Sequence, residues 1–211
     1  MREEMLKNSF YKIFILFLFA VFIISCGIEY TPEQQKYIAS IEKMRKEKDG
    51  YMKNDPSSPF NYDSNAVFHP LKYFNVDPNF VFKSKLYKYE KQDTIEIFGT
   101  KGEARKVVKY GYVKINYGKK DYKINVYQGQ TKRGEIYHSN WFTDKTTNNE
   151  SYGVGRYLDF EINNDKDFIY TIDFNQAYSP YCSYSAEYSC AIPTKEDYLD
   201  LEIKAGEKKF H

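Results

Sequence analysis

The chain has 211 residues, with 31 Lys and Arg against 29 Asp and Glu, a net charge of +2 and 22 tyrosines. So even a balance gives no argument for nucleic-acid binding, and a nucleic-acid partner is not expected. The length suits one domain with a substantial core once a short leader is set aside.

Arg2, Lys7 and Lys12 precede an apolar run from Ile13 to Ile24. A run of about a dozen residues fits the core of a secretory signal and falls below the roughly 20 needed to span hydrocarbon. It ends in Ile23-Ile24-Ser25-Cys26-Gly27, which resembles the lipobox of bacterial lipoproteins. The resemblance implies cleavage before Cys26 and a diacylglyceryl thioether, with palmitate-type acylation, on its sulfur. Several chains on one cysteine make a durable anchor, because each buried methylene contributes about 0.8 kcal/mol. The expected organisation is a signal peptide over 1–25, a tether over 26–30 and a single domain over 31–211. Its expected place is the bacterial cell envelope, outside the cytoplasm and bound to the membrane through lipid on Cys26. Losing the leader removes three basic and two acidic residues, so the remainder stays close to neutral.

Thr31-Pro32-Glu33-Gln34 reads as a helix start, with Thr31 as N-cap, Pro32 at N1 and Gln34 closing a capping box. Tyr37, Ile38, Ile41 and Met44 recur at helical spacing, which predicts a helix to about Lys48 stopped by Gly50. Met52 to Phe60 holds Pro56 and Pro59 and is expected to be a loop. Period-two patterns then predict strands over Val81–Glu90, Asp93–Gly99, Ala104–Asn116 and Lys120–Tyr127, with turns at Gly99 to Gly102 and Tyr117-Gly118-Lys119. Further strands are expected over Arg156–Ile162, Phe168–Phe174 and Leu199–Ile203. The predicted fold is mainly β, an antiparallel sandwich or barrel-like sheet with one N-terminal α-helix and long loops.

With Cys26 assigned to lipid, Cys182 and Cys190 remain as a pair. A disulfide is the favoured state outside the cytoplasm, where closing so short a loop adds roughly 2–3 kcal/mol. Two reduced core cysteines are the alternative. A metal site is disfavoured by the spacing and by the distance to His69, His138 and His211. Walker A, G-x-G-x-x-G, H-E-x-x-H, G-x-S-x-G and EF-hand patterns are absent, so no cofactor is expected. Gly153-Val154-Gly155 reads as a backbone kink entering a strand.

Two polar, aromatic segments interrupt the alternation: Asp144 to Tyr157 and Asp173 to Tyr184. Together with Asn54-Asp55-Pro56, Leu71-Lys72-Tyr73-Phe74, Tyr152-Gly153 through Leu158, Asp173-Phe174-Asn175 with Ala177-Tyr178, and the Ala205-Gly206-Glu207-Lys208 ending, they resemble the lipoprotein and cytosolic members of the bacterial domain of unknown function 1684 family. The resemblance runs over nearly the whole mature chain, and it implies no activity. Asn148 stands where a glycine is usual, Ser179 where an asparagine is, and Ala191 and Thr194 where prolines are. Asn accommodates a left-handed turn, so the turn at Asn148 should persist.

Two readings of the polar residues stay open. In one, Arg156 holds an anionic group while Asp144, Asn175 and Tyr178 orient it in a pocket for a small polar ligand. In the other, Arg156 pairs internally with Asp144 or Asp173 while Asn175 and Tyr178 tie down a loop. A binding lipoprotein for a small polar or anionic ligand or an envelope partner is the first expectation. The alternative is an extracytoplasmic hydrolase-type enzyme drawing two carboxylates from Asp144, Glu150, Asp173 and Glu207. A purely structural envelope protein comes third. Glu207 beside Lys208 reads as a solvated pair.

Overall fold

Thr31 and Gln34 close the capping box that the sequence sets up: Gln34 N–H donates to Thr31 Oγ1 at 3.3 Å and Thr31 N–H donates to Gln34 Oε1 at 3.0 Å. They open α1 (Pro32–Asn54) in a computed structural model that describes residues 29–131 and 133–211. The signal segment and Cys26 lie outside the described residues. Residues 36–211 form one unit.

Helix α1 runs past Gly50, where the sequence suggested a stop. Glycine inside a helix costs about 1 kcal/mol relative to alanine, whereas burying a methionine side chain contributes about 1.5–3 kcal/mol. Met52, two residues beyond, is 1% exposed and packs with Phe60, Leu71, Tyr184 and Phe210, so burial outweighs propensity. The Pro-rich stretch after it holds one helical turn, α2 (Pro59–Tyr62), capped by Ser58.

The remaining elements are mainly β. Strand β1 (Val81–Ser84) pairs antiparallel with β8 (Tyr170–Asp173). The second sheet runs in the order β2 (Tyr87–Lys88), β4 (Ala104–Tyr117), β5 (Lys120–Gln130), β6 (Ile136–Asp144), β7 (Arg156–Asp159). Strand β3 (Thr94–Phe98) also pairs with β4, and β9 (Tyr198–Leu199) adds in parallel to the end of β6. This sheet stays open and does not close into a barrel. The β4–β5 hairpin turns at Gly118 and Lys119, both at positive φ (59° and 67°), the geometry that matches strand twist in a two-residue turn.

The predicted strand over Val81–Glu90 divides into β1 and β2 because the chain changes sheets between Ser84 and Tyr87. Strand β6 has no counterpart in the sequence reading. Its residues Ser139 to Phe142 are buried consecutively, so both faces are covered and the period-two signal is erased.

Successive side chains on a strand point to opposite faces, and β5 uses both. Ile124 and Val126 join Val113, Ile115, Tyr170, Ile172 and Phe174 in one core that binds the two sheets together. Tyr127, on the other face, joins Ile97, Val107, Trp141, Tyr157, Cys190 and Ala191 in a second core. Among the functional candidates, Tyr178, Cys182 and Cys190 belong to this second, aromatic core.

Candidate functional site

Gly155 turns the chain into β7 at φ +105°, and a Cβ there would come within 2.5 Å of the Phe142 carbonyl oxygen. This kink aims Arg156 inward, where it is 0% exposed. Its Nη2 donates to Asp144 Oδ2 at 2.9 Å and to the Ile203 carbonyl at 2.9 Å, and Nη1 donates to the Ala205 carbonyl. Asp144 in turn accepts from Ile203 N–H (3.0 Å), Thr146 N–H (3.1 Å) and Thr146 Oγ1 (2.7 Å). Of the two readings open from the sequence, the geometry is the internal ion pair. It ties the end of β6 to the backbone of 203–205, with both terminal guanidinium nitrogens engaged.

Asn148 adopts φ 68°, the left-handed turn expected of an asparagine in a glycine position. Asn175, 1% exposed, is also engaged within the fold: its Nδ2 donates to the Tyr37 hydroxyl and the Asp77 carbonyl, and its Oδ1 accepts from Asp77 N–H.

Glu207 is not the solvated partner of Lys208. Gly206, at φ +78°, has no room for a Cβ, which would meet the Ala177 and Phe174 carbonyl oxygens at 2.5 and 2.6 Å. The 205–207 segment therefore lies flat against 174–177 and carries Glu207 into the interior, 1% exposed. There its carboxylate accepts from Lys48 Nζ at 2.6 Å, from Ser179 N–H at 2.8 Å and from the Tyr184 hydroxyl. Burial, then the Glu207 charge, drives the Tyr184 phenol well above its ordinary pKa, so it stays a donor. Lys48 and Glu207 are far apart in sequence, and no local pattern announces the pair.

A cavity of about 690 Å³ opens between α1, the edge of β7, β8 and the loop over 176–191. Its size falls within the usual range for small-molecule sites. Trp141, Tyr157, Tyr178, Tyr181 and Tyr188 supply aromatic walls; Lys48, Arg105, Asp159 and Asp173 are its charged members. Tyr178 is the one sequence-selected ligand candidate on this wall, while Arg156, Asp144 and Asn175 lie off it. Its hydroxyl donates to Asp159 Oδ1 at 2.6 Å, and burial followed by the Asp159 charge raises the phenol pKa. Of the four carboxylates considered for hydrolysis, Asp173 alone reaches the wall. Glu150 sits 3.7 Å from Lys204 and from Lys208.

Asn140 also contributes to the wall. It is 1% exposed, its Nδ2 donates to the Asn125 carbonyl at 2.7 Å, and its Oδ1 has no donor among the described residues. Asn140 and Trp141 escaped the sequence reading together with β6.

The disulfide expected between Cys182 and Cys190 is not formed; both are free thiols. Cys182 N–H donates to Cys190 Sγ at 3.2 Å. Hydrogen bonding with Cys190 is the largest influence on the Cys182 thiol and draws its pKa down to about 7, while the same contact and burial push Cys190 up. Cys190 borders the cavity.

An uncharacterized protein of Haloarcula marismortui, solved by solution NMR, is similar in fold at a TM-score of 0.60 and 24% identity, with 83% of this chain and 96% of that one covered. At that identity the likeness concerns the fold alone. No curated protein matches the chain. The profile of the family described as "Protein of unknown function (DUF1684)" matches residues 66–208. The matched segment takes in every β-strand and the 205–207 segment, and starts after α1 and the Asn54-Asp55-Pro56 loop. The match spans more than half of the sequence, and the chain belongs to this family of unknown function.

Proposed function

We propose that this protein is an exported binding lipoprotein of the cell envelope, anchored through Cys26, that takes a small polar ligand in the cavity beside β7. The cavity carries the reading: aromatic walls, a few polar groups, and a buried Asn140 whose Oδ1 lacks a donor among the described residues. Aromatic walls with a small number of convergent polar groups are the usual make-up of a small-molecule site.

Trp141 is the single tryptophan of the chain and borders the cavity, so its emission reports occupancy directly. A panel of sugars, amino acids, amines and carboxylates, screened by melting temperature and by Trp141 emission, tests the reading. A solute that raises the melting temperature and changes the emission supports it. Stabilising solutes that all leave Trp141 unmoved place binding elsewhere and overturn it.

The anchor rests on Lys7 and Lys12 before the apolar run and on Ser25-Cys26 after it. Cys26→Ser is expected to abolish lipid labelling and membrane retention. Retention of that variant through its apolar segment would defeat the lipoprotein reading.

A further inference from the structure

The charges on the cavity wall are unequally satisfied. Lys48 has Glu207 at 2.6 Å, and Arg105 is bound by Glu103 and by the Ser189 carbonyl at 2.7 Å. Each wall cation thus has a carboxylate of its own. Asp159 and Asp173 have none: among the described residues, neither forms an ion pair with a lysine or arginine. Among the described residues, the Asp159 carboxylate accepts only from the Tyr178 hydroxyl. Asp173 accepts from the Tyr37 hydroxyl at 2.8 and 2.9 Å, from Gln176 Nε2 at 3.0 Å and from the side-chain and main-chain nitrogens of Asn175. Arg45, whose charge reaches Asp173 through space, gives its terminal nitrogens to the Phe74 and Asn175 carbonyls.

What the wall offers an incoming molecule is therefore acceptors and rings. Two carboxylates remain outside any ion pair among the described residues, and eight aromatic side chains border the space. The wall already holds one cation against a ring, since Lys48 Nζ lies 4.9 Å from the Tyr178 centroid. An anion entering here would face the Asp159 and Asp173 carboxylates, neither of them in an ion pair among the described residues. A cation would meet opposite charge and the negative faces of aromatic rings, the combination that recognises ammonium groups.

We infer that the cavity takes an organic cation, a small molecule bearing an ammonium or quaternary ammonium group, held by Asp159 and Asp173 and by the aromatic wall. This rests on the cavity reading above and reverses the sign of the ligand that an Arg156 clamp would have selected.

Three probes of matched shape separate charge from fit: choline; neohexyl alcohol, in which carbon replaces the ammonium nitrogen; and tert-butylacetate. Each is titrated into the full chain, purified in detergent, while Trp141 emission is followed. Choline is expected to bind about tenfold more tightly than neohexyl alcohol, and tert-butylacetate more weakly still. Asp159 is exposed at the rim, so Asp159→Asn should fold, as circular dichroism would verify. It is expected to lower choline affinity several-fold and leave neohexyl alcohol unchanged. Equal binding of choline and its isostere, or preference for tert-butylacetate, overturns the cation assignment and leaves the cavity reading standing. No emission change with any probe removes the cation assignment, and the broad panel then decides the cavity reading separately.

Discussion

Arg156 and Asp144 meet at 2.9 Å with side chains 1% and 0% exposed, and between them they fix the backbone at Ile203 and Ala205. Breaking a buried pair from one side leaves an uncompensated charge and typically costs about 3–5 kcal/mol, whereas replacing both partners by apolar groups is often close to neutral. Arg156→Met should therefore lower stability by about that amount in urea unfolding. Arg156→Met combined with Asp144→Leu should recover a large part of the loss. A single variant losing less than about 1 kcal/mol would show that the pair does not hold the 203–205 segment.

Glu207 offers a second test of the interior. Tyr184→Phe removes a donor from a buried carboxylate, and hydrogen bonds to charged groups are worth about 1.5–3 kcal/mol. The variant should lose stability in that range. Tyr181→Phe is the control, because the Tyr181 hydroxyl makes only a long contact of 3.4 Å to the Tyr51 hydroxyl, and it should change little.

Much of the fold is legible because the signals are local. The α1 cap, the β4–β5 turn and the long alternating strands β4 and β5 each follow from residues close in sequence. Strand β6 was illegible for the opposite reason, since tertiary burial on both faces removes the alternation that marks a strand. Gly50 misled because propensity is weak beside the burial of Met52. The polar cluster around Arg156 was found by composition, yet sequence alone could not tell an ion pair from a ligand clamp. The cavity assembles residues from α1, β6, β7, β8 and the 176–191 loop, and no single segment carries its signature.

The two thiols differ in reactivity. Cys182 is partly exposed with its pKa drawn to about 7, and Cys190 is buried with its pKa pushed up. The thiolate is the reacting species. Iodoacetamide should therefore label Cys182 first, with a rate that rises through about pH 7, and Cys190 only after unfolding. Peptide mapping by mass under non-reducing conditions locates the label and separates free thiols from a disulfide. Equal labelling of both residues at neutral pH would show that the Cys190 environment does not protect it.

Asp200 sets an acid limit that can be assigned to one residue. Hydrogen bonds from Lys120 and then Lys145, at 2.7 and 2.8 Å, hold its carboxyl at about 2, below the ordinary 3.8. The folded state thus binds this proton at lower pH than the unfolded state does. Between 3.8 and about 2 the unfolded chain carries more protons, so unfolding free energy rises with pH across that window. The contribution is fully present above 3.8 and fades as pH falls toward about 2. Asp200 is about half exposed, so water and salt screen both contacts, and about 0.5 M sodium chloride should shrink the effect. Urea unfolding at steps across that window should show a shallower pH dependence for Asp200→Asn than for the unsubstituted chain, with the two curves parallel above pH 5 or so. Curves that remain parallel through the window would mean that Lys120 and Lys145 favour the Asp200 carboxylate as much in the unfolded chain as in the folded one.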